Sequence, residues 1–167
     1  MRHVISVKVE NRSGVLARVS GLFSARGYNI DSLTVSQTEH DDVSIMTIVV
    51  RGDDRIIEQV KKQLNKLIDV IKVSDHSDFP SIQRELALVK VMAQPSKRSE
   101  VYQVAEIFRA EIVDISLKTI TLEVTGEPDK IDNFIELMRP YSIKELIRTG
   151  RLSMSKEQNN KQEKDDG

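Results

Sequence analysis

A short polar stretch, NRSG at residues 11–14, joins two segments of different hydrophobic period near the start of the chain. Before it, alternating apolar residues predict a strand over residues 3–10. After it, apolar residues three and four apart predict a helix over residues 14–26. The first N–H groups of a helix have no acceptor within the helix. The junction can therefore bind a small anion such as an amino-acid carboxylate, with the side-chain amides of Asn11 and Asn29 as candidate partners for its charged groups.

A simpler interpretation stays open for the same residues. Glycine is common at strand-to-helix turns because it adopts backbone conformations that other residues avoid. The turn alone also explains Gly14, so the spacing does not by itself decide between an anion site and a turn.

The hydrophobic pattern predicts the order βαββαβ twice along the chain. In the first half, Gly27 closes the first helix and Asp53 caps the second; the further elements are strands at 29–38 and 43–51, a helix at 53–68 and a strand at 69–75. In the second half, Pro128 suits a first helical turn; the elements are a strand at 84–93, a helix at 98–110, strands at 111–117 and 119–125, a helix at 128–139 and a strand at 142–149. The expected fold is α+β, with two tandem ferredoxin-like βαββαβ domains.

Polar residues and a proline near the middle of the chain divide the two repeats. We expect a first domain over residues 1–77, a linker over 78–83 and a second domain over 84–154. Residues 155–167 have no apolar side chain to bury, and we expect them to form a disordered tail.

The central strands of the two halves differ in pattern. In the strand at 119–125, apolar residues alternate strictly with Thr and Glu, as in a sheet with one face in water. In the strand at 43–51, Val43, Ile45 and Val49 lie on one face and Met46, Ile48 and Val50 on the other. The helices of one domain cover only one face of its sheet, so we expect the free face of the first sheet to meet another chain or domain.

Composition argues against several classes of function. The 25 basic and 26 acidic residues give a formal charge of −1, which does not favour nucleic acid as a partner. The chain has no cysteine and no apolar run long enough for a signal peptide or a membrane span, and we expect a cytoplasmic protein.

No phosphate-binding loop or nucleophile motif is present in the sequence, and the acidic hairpin around His40 is better explained as a solvated turn than as a cation site. The predicted central strands of the first half also lack the aromatic residues with which RNA-recognition modules stack bases.

The segment NRSGVLARVSGLFSARGYNIDSLTV resembles the ACT domain that opens the small, regulatory subunits of acetolactate synthase, also called acetohydroxyacid synthase. Three runs in the second half are similar to the same subunits, in order and at the expected separations: RELALVKV at 84–91, EIFRAEIVDIS at 106–116 and the run ITLEVTGEPDKIDNFIELMRPYSIKELIRTGRL at 120–152. The resemblance covers roughly nine tenths of the chain. An NxxGVL motif alone is shared by many ACT domains, so the second-half runs are the more specific part.

The resemblance implies a non-catalytic subunit that activates a catalytic partner and confers feedback inhibition by valine in branched-chain amino acid synthesis. In this family, two ACT domains pair as a homodimer and hold the effector between them. By matching positions, the effector-binding residues are Asn11, Gly14, Val15 and Leu16 on one side and Asn29 and Ile30 on the other. The resemblance also implies that the partner, the large subunit, holds thiamine diphosphate, magnesium and FAD, and that this chain holds no cofactor or metal. From the charge balance and the apolar run lengths, we expect neither nucleic acid nor membrane as a partner.

Two other classes of function remain as alternatives. Some amino-acid sensors with ACT domains control transcription, but this chain has no recognisable helix-turn-helix. A small enzyme is the third class, and no pair of nucleophile and base can be named for it.

Overall fold

The structure is a computed structural model that describes residues 1–157 of the chain. The first half folds as a four-stranded antiparallel sheet with strand order β2-β3-β1-β4 and two helices. Its elements are β1 (Arg2–Glu10), α1 (Val15–Ser24), β2 (Ile30–Gln37), β3 (Val43–Arg51), α2 (Asp54–Leu64) and β4 (Val70–Asp75). The expected order βαββαβ is confirmed for this half.

The core of the first half lies between one face of the sheet and the two helices. Every second residue of β1 and β3 faces this core, as the pleat of a strand requires. Asp53 caps α2 as predicted, since its side chain accepts a hydrogen bond of 3.0 Å from the backbone N–H of Ile56. The core residues with almost no exposed surface are Ile5, Val7, Val9, Val15, Val19, Phe23, Met46, Ile48, Val50, Ile57, Val60 and Leu64.

The second half repeats the architecture, as predicted, with strand order β6-β7-β5-β8. Pro128 begins its second helix at a position where the missing N–H costs nothing. The elements are β5 (Ser81–Met92), α3 (Arg98–Phe108), β6 (Glu111–Ile115), β7 (Thr119–Gly126), α4 (Pro128–Met138) and β8 (Ile143–Arg148), followed by β9 (Leu152–Ser155). The alternation in β7 is confirmed, because Ile120, Leu122 and Val124 are buried in the core.

The start of β5 and the whole of β9 differ from the sequence expectation. The pattern predicts a linker up to residue 83, whereas β5 begins at Ser81. It predicts a disordered tail from residue 155, whereas Ser155 lies opposite Ser81 in an antiparallel pair that also joins Leu152 to Arg84. The two short segments stabilise each other by backbone pairing, which a local hydrophobic pattern does not record. Residues 158–167 of the expected tail lie outside the described residues.

The second half of the same chain covers part of the free face of the first sheet. Val4 and Val49 face away from the helices and are nevertheless only 3% exposed. Residues 150–153, which lead from β8 into β9, lie against this end of the sheet. Ile45, at the other end of the same face, is 39% exposed. The free face of the first sheet is therefore covered at the end that holds Val49, and the cover comes from residues 150–153 of the same chain.

Within the described residues, the helices are too short or too polar to cross a membrane.

Candidate functional site

The loop that follows β1 is fixed against the hairpin between β2 and β3. The backbone N–H of Asn11 donates to the carbonyl of Asp42 at 2.7 Å, and its side-chain amide donates to the carbonyl of Asp41 at 2.9 Å. The Nδ2 atom of Asn11 is thus used within the chain, which leaves Oδ1 as the atom that can accept a hydrogen bond from an ammonium group.

Gly14 makes the turn from this loop into α1. Its φ of 83° lies in the left-handed region, where glycine carries no steric penalty. No side chain caps the helix, and its first turn has no acidic residue. Within residues 1–157, four backbone N–H groups at this helix start have no acceptor in the protein; they belong to Ser13, Gly14, Leu16 and Ala17. An anion placed here receives several N–H donors and the favourable end of the helix dipole.

The side chain of Arg18 adds a guanidinium group to this helix start, where it is paired with a carboxylate. A Cβ atom built on Gly14 would lie 3.1 Å from Nη1 of Arg18. Nε and Nη2 of the same guanidinium donate to Oδ2 of Asp69 at 2.9 and 2.7 Å, and this carboxylate is only 7% exposed. Asp69 is fixed in turn, because its carbonyl accepts a hydrogen bond from the N–H of Glu10 at 2.8 Å. The pair holds the guanidinium beside Gly14.

Sequence reasoning missed Arg18 as a candidate. The only local signal was a basic residue one turn after Gly14, and such residues are usual on exposed helix faces. Its partner Asp69 is 51 residues away in sequence, so the pairing is a property of the fold.

Val15 and Leu16 make different contributions to the helix start. The side chain of Val15 is buried in the core and its N–H donates to the carbonyl of Arg12, so this residue fixes the helix start and offers neither group to a ligand. Leu16 is 45% exposed and offers an apolar side chain next to the free N–H groups. An anion with an apolar side chain matches this combination.

Asn29 and Ile30 lie at the opposite end of the sheet from the helix start of the same chain. Ile30 pairs with Val50, and Val50 pairs with His3 near the beginning of β1. Asn11 follows Glu10, the last residue of β1. With a rise of ~3.3 Å per residue, the two groups of candidates are roughly 25 Å apart within one chain. The fold brings Asn11, Gly14, Val15 and Leu16 together and keeps Asn29 and Ile30 apart from them.

Comparison with known proteins gives the family of this chain. Residues 5–72 match the family model described as an AHAS small subunit-like ACT domain, and residues 84–157 match the model described as the small subunit of acetolactate synthase. A probable acetolactate synthase small subunit from Archaeoglobus fulgidus is 58% identical over 154 residues, which cover 92% of this chain and 96% of the relative. This chain belongs to the acetolactate synthase small-subunit family.

Other members of the small-subunit family are similar to this chain along nearly its whole length. The acetolactate synthase small subunit of Aquifex aeolicus is 51% identical over 166 residues, covering 99% of this chain and 86% of the relative. The crystal structure of the acetolactate synthase small subunit from Thermotoga maritima superposes with a TM-score of 0.86 at 38% identity, covering 95% of this chain and 99% of that one. The first half of the chain is therefore the ACT domain that the sequence resemblance implied.

A second concave region of this small-subunit family member lies between its two halves. A cleft of about 380 Å³ lies between residues 31–33 of β2 and residues 148–151 at the end of β8. Its charged groups are paired: Asp31 accepts from Arg2 and Arg51 at 3.2 and 2.8 Å, and Arg148 donates to both carboxylate oxygens of Glu85 at 2.6 and 2.9 Å. These hydrogen bonds to Glu85 raise the pKa of Arg148 above its usual value. The cleft therefore presents ion pairs, whereas the helix start at Gly14 presents a cluster of backbone N–H groups.

Proposed function

We propose that this chain is the regulatory subunit of a cytoplasmic acetolactate synthase and that two copies of it bind valine between their ACT domains. It activates the catalytic large subunit, which carries the thiamine diphosphate, magnesium and FAD, and it passes on inhibition when valine is bound. Inhibition of this kind requires that valine bind the less active state of the complex more tightly than the active one.

The separation of the two candidate groups is the observation that supports a shared site most strongly. The loop at residues 11–16 offers donors for a carboxylate, and Asn29 offers an amide for the charged groups of a ligand. One chain holds these groups roughly 25 Å apart, much further than the length of an amino acid. A second copy, related by a two-fold axis, can place its Asn29 and Ile30 beside the loop of the first.

The chemistry of the helix start suits a branched-chain amino acid. The free N–H groups beside Gly14 and the charge of Arg18 match a carboxylate. The exposed side chain of Leu16 and the partly buried Ile30 match an aliphatic side chain. One methylene group more or less changes binding in an apolar pocket by only about 1–3 kcal/mol. Leucine and isoleucine are therefore expected to bind as well, with graded affinity.

Substitution of Gly14 by Asp tests this function. The new carboxylate would lie at the helix start, where it accepts the free N–H groups, pairs with Arg18 and repels the carboxylate of valine. We expect valine binding, measured by calorimetry, to fall below detection, and the reconstituted enzyme to keep its activation while losing inhibition by valine.

Gly14→Asn is the matched control, because it has almost the same size and tolerates a positive φ while carrying no charge. It should retain more valine affinity than Gly14→Asp. Wild-type affinity in a folded Gly14→Asp protein would place the effector elsewhere. A wild-type chain that leaves the rate of the large subunit unchanged over a full titration would contradict the activating role.

A further inference from the structure

Residues 150–153, here called the crossing segment, join the second half of the chain to the free face of the first sheet. The backbone at Gly150 makes the closest contact. Gly150 has a φ of 83°, and a Cβ atom built on it would lie 2.9 Å from Cβ of Ser32 and 3.3 Å from its hydroxyl oxygen. Only glycine allows the segment to approach β2 this closely.

Two hydrogen bonds attach the crossing segment to both outer strands of the sheet. The hydroxyl of Thr34, on β2, donates to the carbonyl of Arg151 at 3.3 Å. The hydroxyl of Ser153 and Nδ1 of His76, just after β4, are 2.7 Å apart. Since β2 and β4 are the two edges of the sheet, the segment spans its whole width and buries Val4 and Val49 beneath it.

The contact lies next to the proposed effector site along β2. Ile30 and Ser32 are separated by a bulge, where the register of β2 against β3 shifts at Asp31. The carboxylate of Asp31 accepts hydrogen bonds from Arg2 of β1 and Arg51 of β3. Both pairs hold the bulge against the neighbouring strands, so Ile30 and Ser32 are joined by a short stretch of β2 that is anchored between them.

The crossing segment is also anchored to the second domain, by ion pairs and by strand pairing. Arg148 ends β8 and donates two hydrogen bonds to Glu85 of β5, whose side chain is 5% exposed. Nη1 of Arg148 also lies 2.8 Å from Oδ1 of Asp132 on α4. The segment begins two residues after this anchor and pairs with the start of β5 through β9. Its position is therefore coupled to the sheet and a helix of the second domain.

We propose that the crossing segment transmits effector binding from the ACT domain to the second domain, with the contact of Gly150 on Ser32 as the point of transfer. The inference rests on the proposed function, because it assumes that Asn29 and Ile30 contact the effector. Two sites are coupled only when a discrete contact differs in free energy between their states. Gly150 touches neither the proposed effector site nor its residues, so its substitution tests the coupling without altering the ligand contacts.

The test compares Gly150→Ala, Ser32→Gly and the double variant in the full chain reconstituted with the large subunit. The methyl group that Gly150→Ala introduces would collide with Ser32 and displace the segment. We expect Gly150→Ala to bind valine in the isolated subunit within about threefold of wild type, while the coupling between valine and activity falls by about fivefold or more. In the double variant, removal of the Ser32 side chain frees the space and should restore inhibition, although the backbone strain at position 150 persists.

A second variant keeps the test valid if Gly150→Ala does not fold. Ser153→Ala removes the hydrogen bond to His76 and leaves the close contact at Gly150, so it should weaken the coupling in the same direction. Full inhibition by valine in a folded Gly150→Ala protein, or loss of inhibition that Ser32→Gly does not reverse, would overturn the proposed link alone. A wild-type chain that binds no valine would overturn the proposed function and the link with it.

Discussion

At the start of α1, Arg18 and Asp69 bring opposite charges together beside Gly14. The sequence reveals the candidates that lie close together along the chain, because loop, glycine and helix are consecutive: Asn11, Gly14, Val15 and Leu16. It does not reveal Arg18, since the position of that guanidinium depends on Asp69, which lies just before β4 and 51 residues later in the chain. The sequence therefore indicates which groups backbone geometry places close together, and it does not record groups that tertiary pairing positions.

Substitution of Arg18 by Met tests the role of its charge. Met keeps most of the apolar stem and removes the guanidinium, so the carboxylate of a ligand loses an ionic partner. The hydrogen-bonded charge is worth about 1.5–3 kcal/mol, which predicts a loss of valine affinity of at least about tenfold by calorimetry. Asp69 is left buried without its partner, so urea denaturation should also show a lower free energy of unfolding.

The matched control is Arg12→Met, which removes a basic side chain of the loop before α1 that is 71% exposed and paired with Glu10. Valine affinity should change little in this variant. Equal losses of valine affinity in the two variants would mean that Arg18 acts only through the net charge near the helix start.

Among the elements, β9 and the first residues of β5 form the part of the fold that was not predicted. The segment LSMS alternates apolar and polar residues over only four positions, which is too short to predict a strand, and its partner SIQR contains one strongly apolar residue. Each becomes a strand because the other supplies backbone hydrogen bonds, and because the crossing segment lies over Val4 and Val49. The regular elements were predicted closely, since their apolar residues repeat with the period of a strand or a helix.

The attachment of β9 to the end of β4 should depend on pH through His76. Burial lowers the pKa of His76 below 6.5, and the charge of Asp75 opposes this in part. Below pH 6.5, the unfolded chain therefore binds a proton on this ring that the folded chain does not, and the free energy of unfolding falls as pH decreases. The loss levels off once the pH passes the pKa in the folded state.

Urea denaturation between about pH 8 and pH 5 measures this effect on the wild type and on His76→Gln. Gln retains hydrogen-bonding capacity and does not titrate, so the variant should lose less stability as the pH falls. Ser74 is a partly buried neighbour on β4, and Ser74→Ala should keep the wild-type slope. If the free energy of unfolding falls equally with pH in the wild type and in His76→Gln, the pH dependence does not come from His76.

For the whole molecule, the crossing segment attaches the second domain to the sheet of the first domain. The tandem βαββαβ order follows from the sequence because both halves repeat it. The contact between the halves does not follow from the sequence, since it depends on a glycine at residue 150 and on two long-range hydrogen bonds. One joins Thr34 to Arg151, which are 117 positions apart, and the other joins His76 to Ser153, which are 77 positions apart. The pattern in β3 did indicate that its free face needed cover, although not which segment supplies it.

The central claim is that two chains build each effector site, and it is tested by mixing variants that are each unable to bind valine. In a dimer of Gly14→Asp with Asn29→His, one site combines both substitutions and the other combines a native loop with a native Asn29. Random mixing forms such dimers in about half of the population, so calorimetry should recover about one quarter of the wild-type valine sites. Separately, each variant should show none. If the mixed sample also binds no valine while gel filtration and mass spectrometry confirm exchange of subunits, the site lies within one chain and the account is wrong.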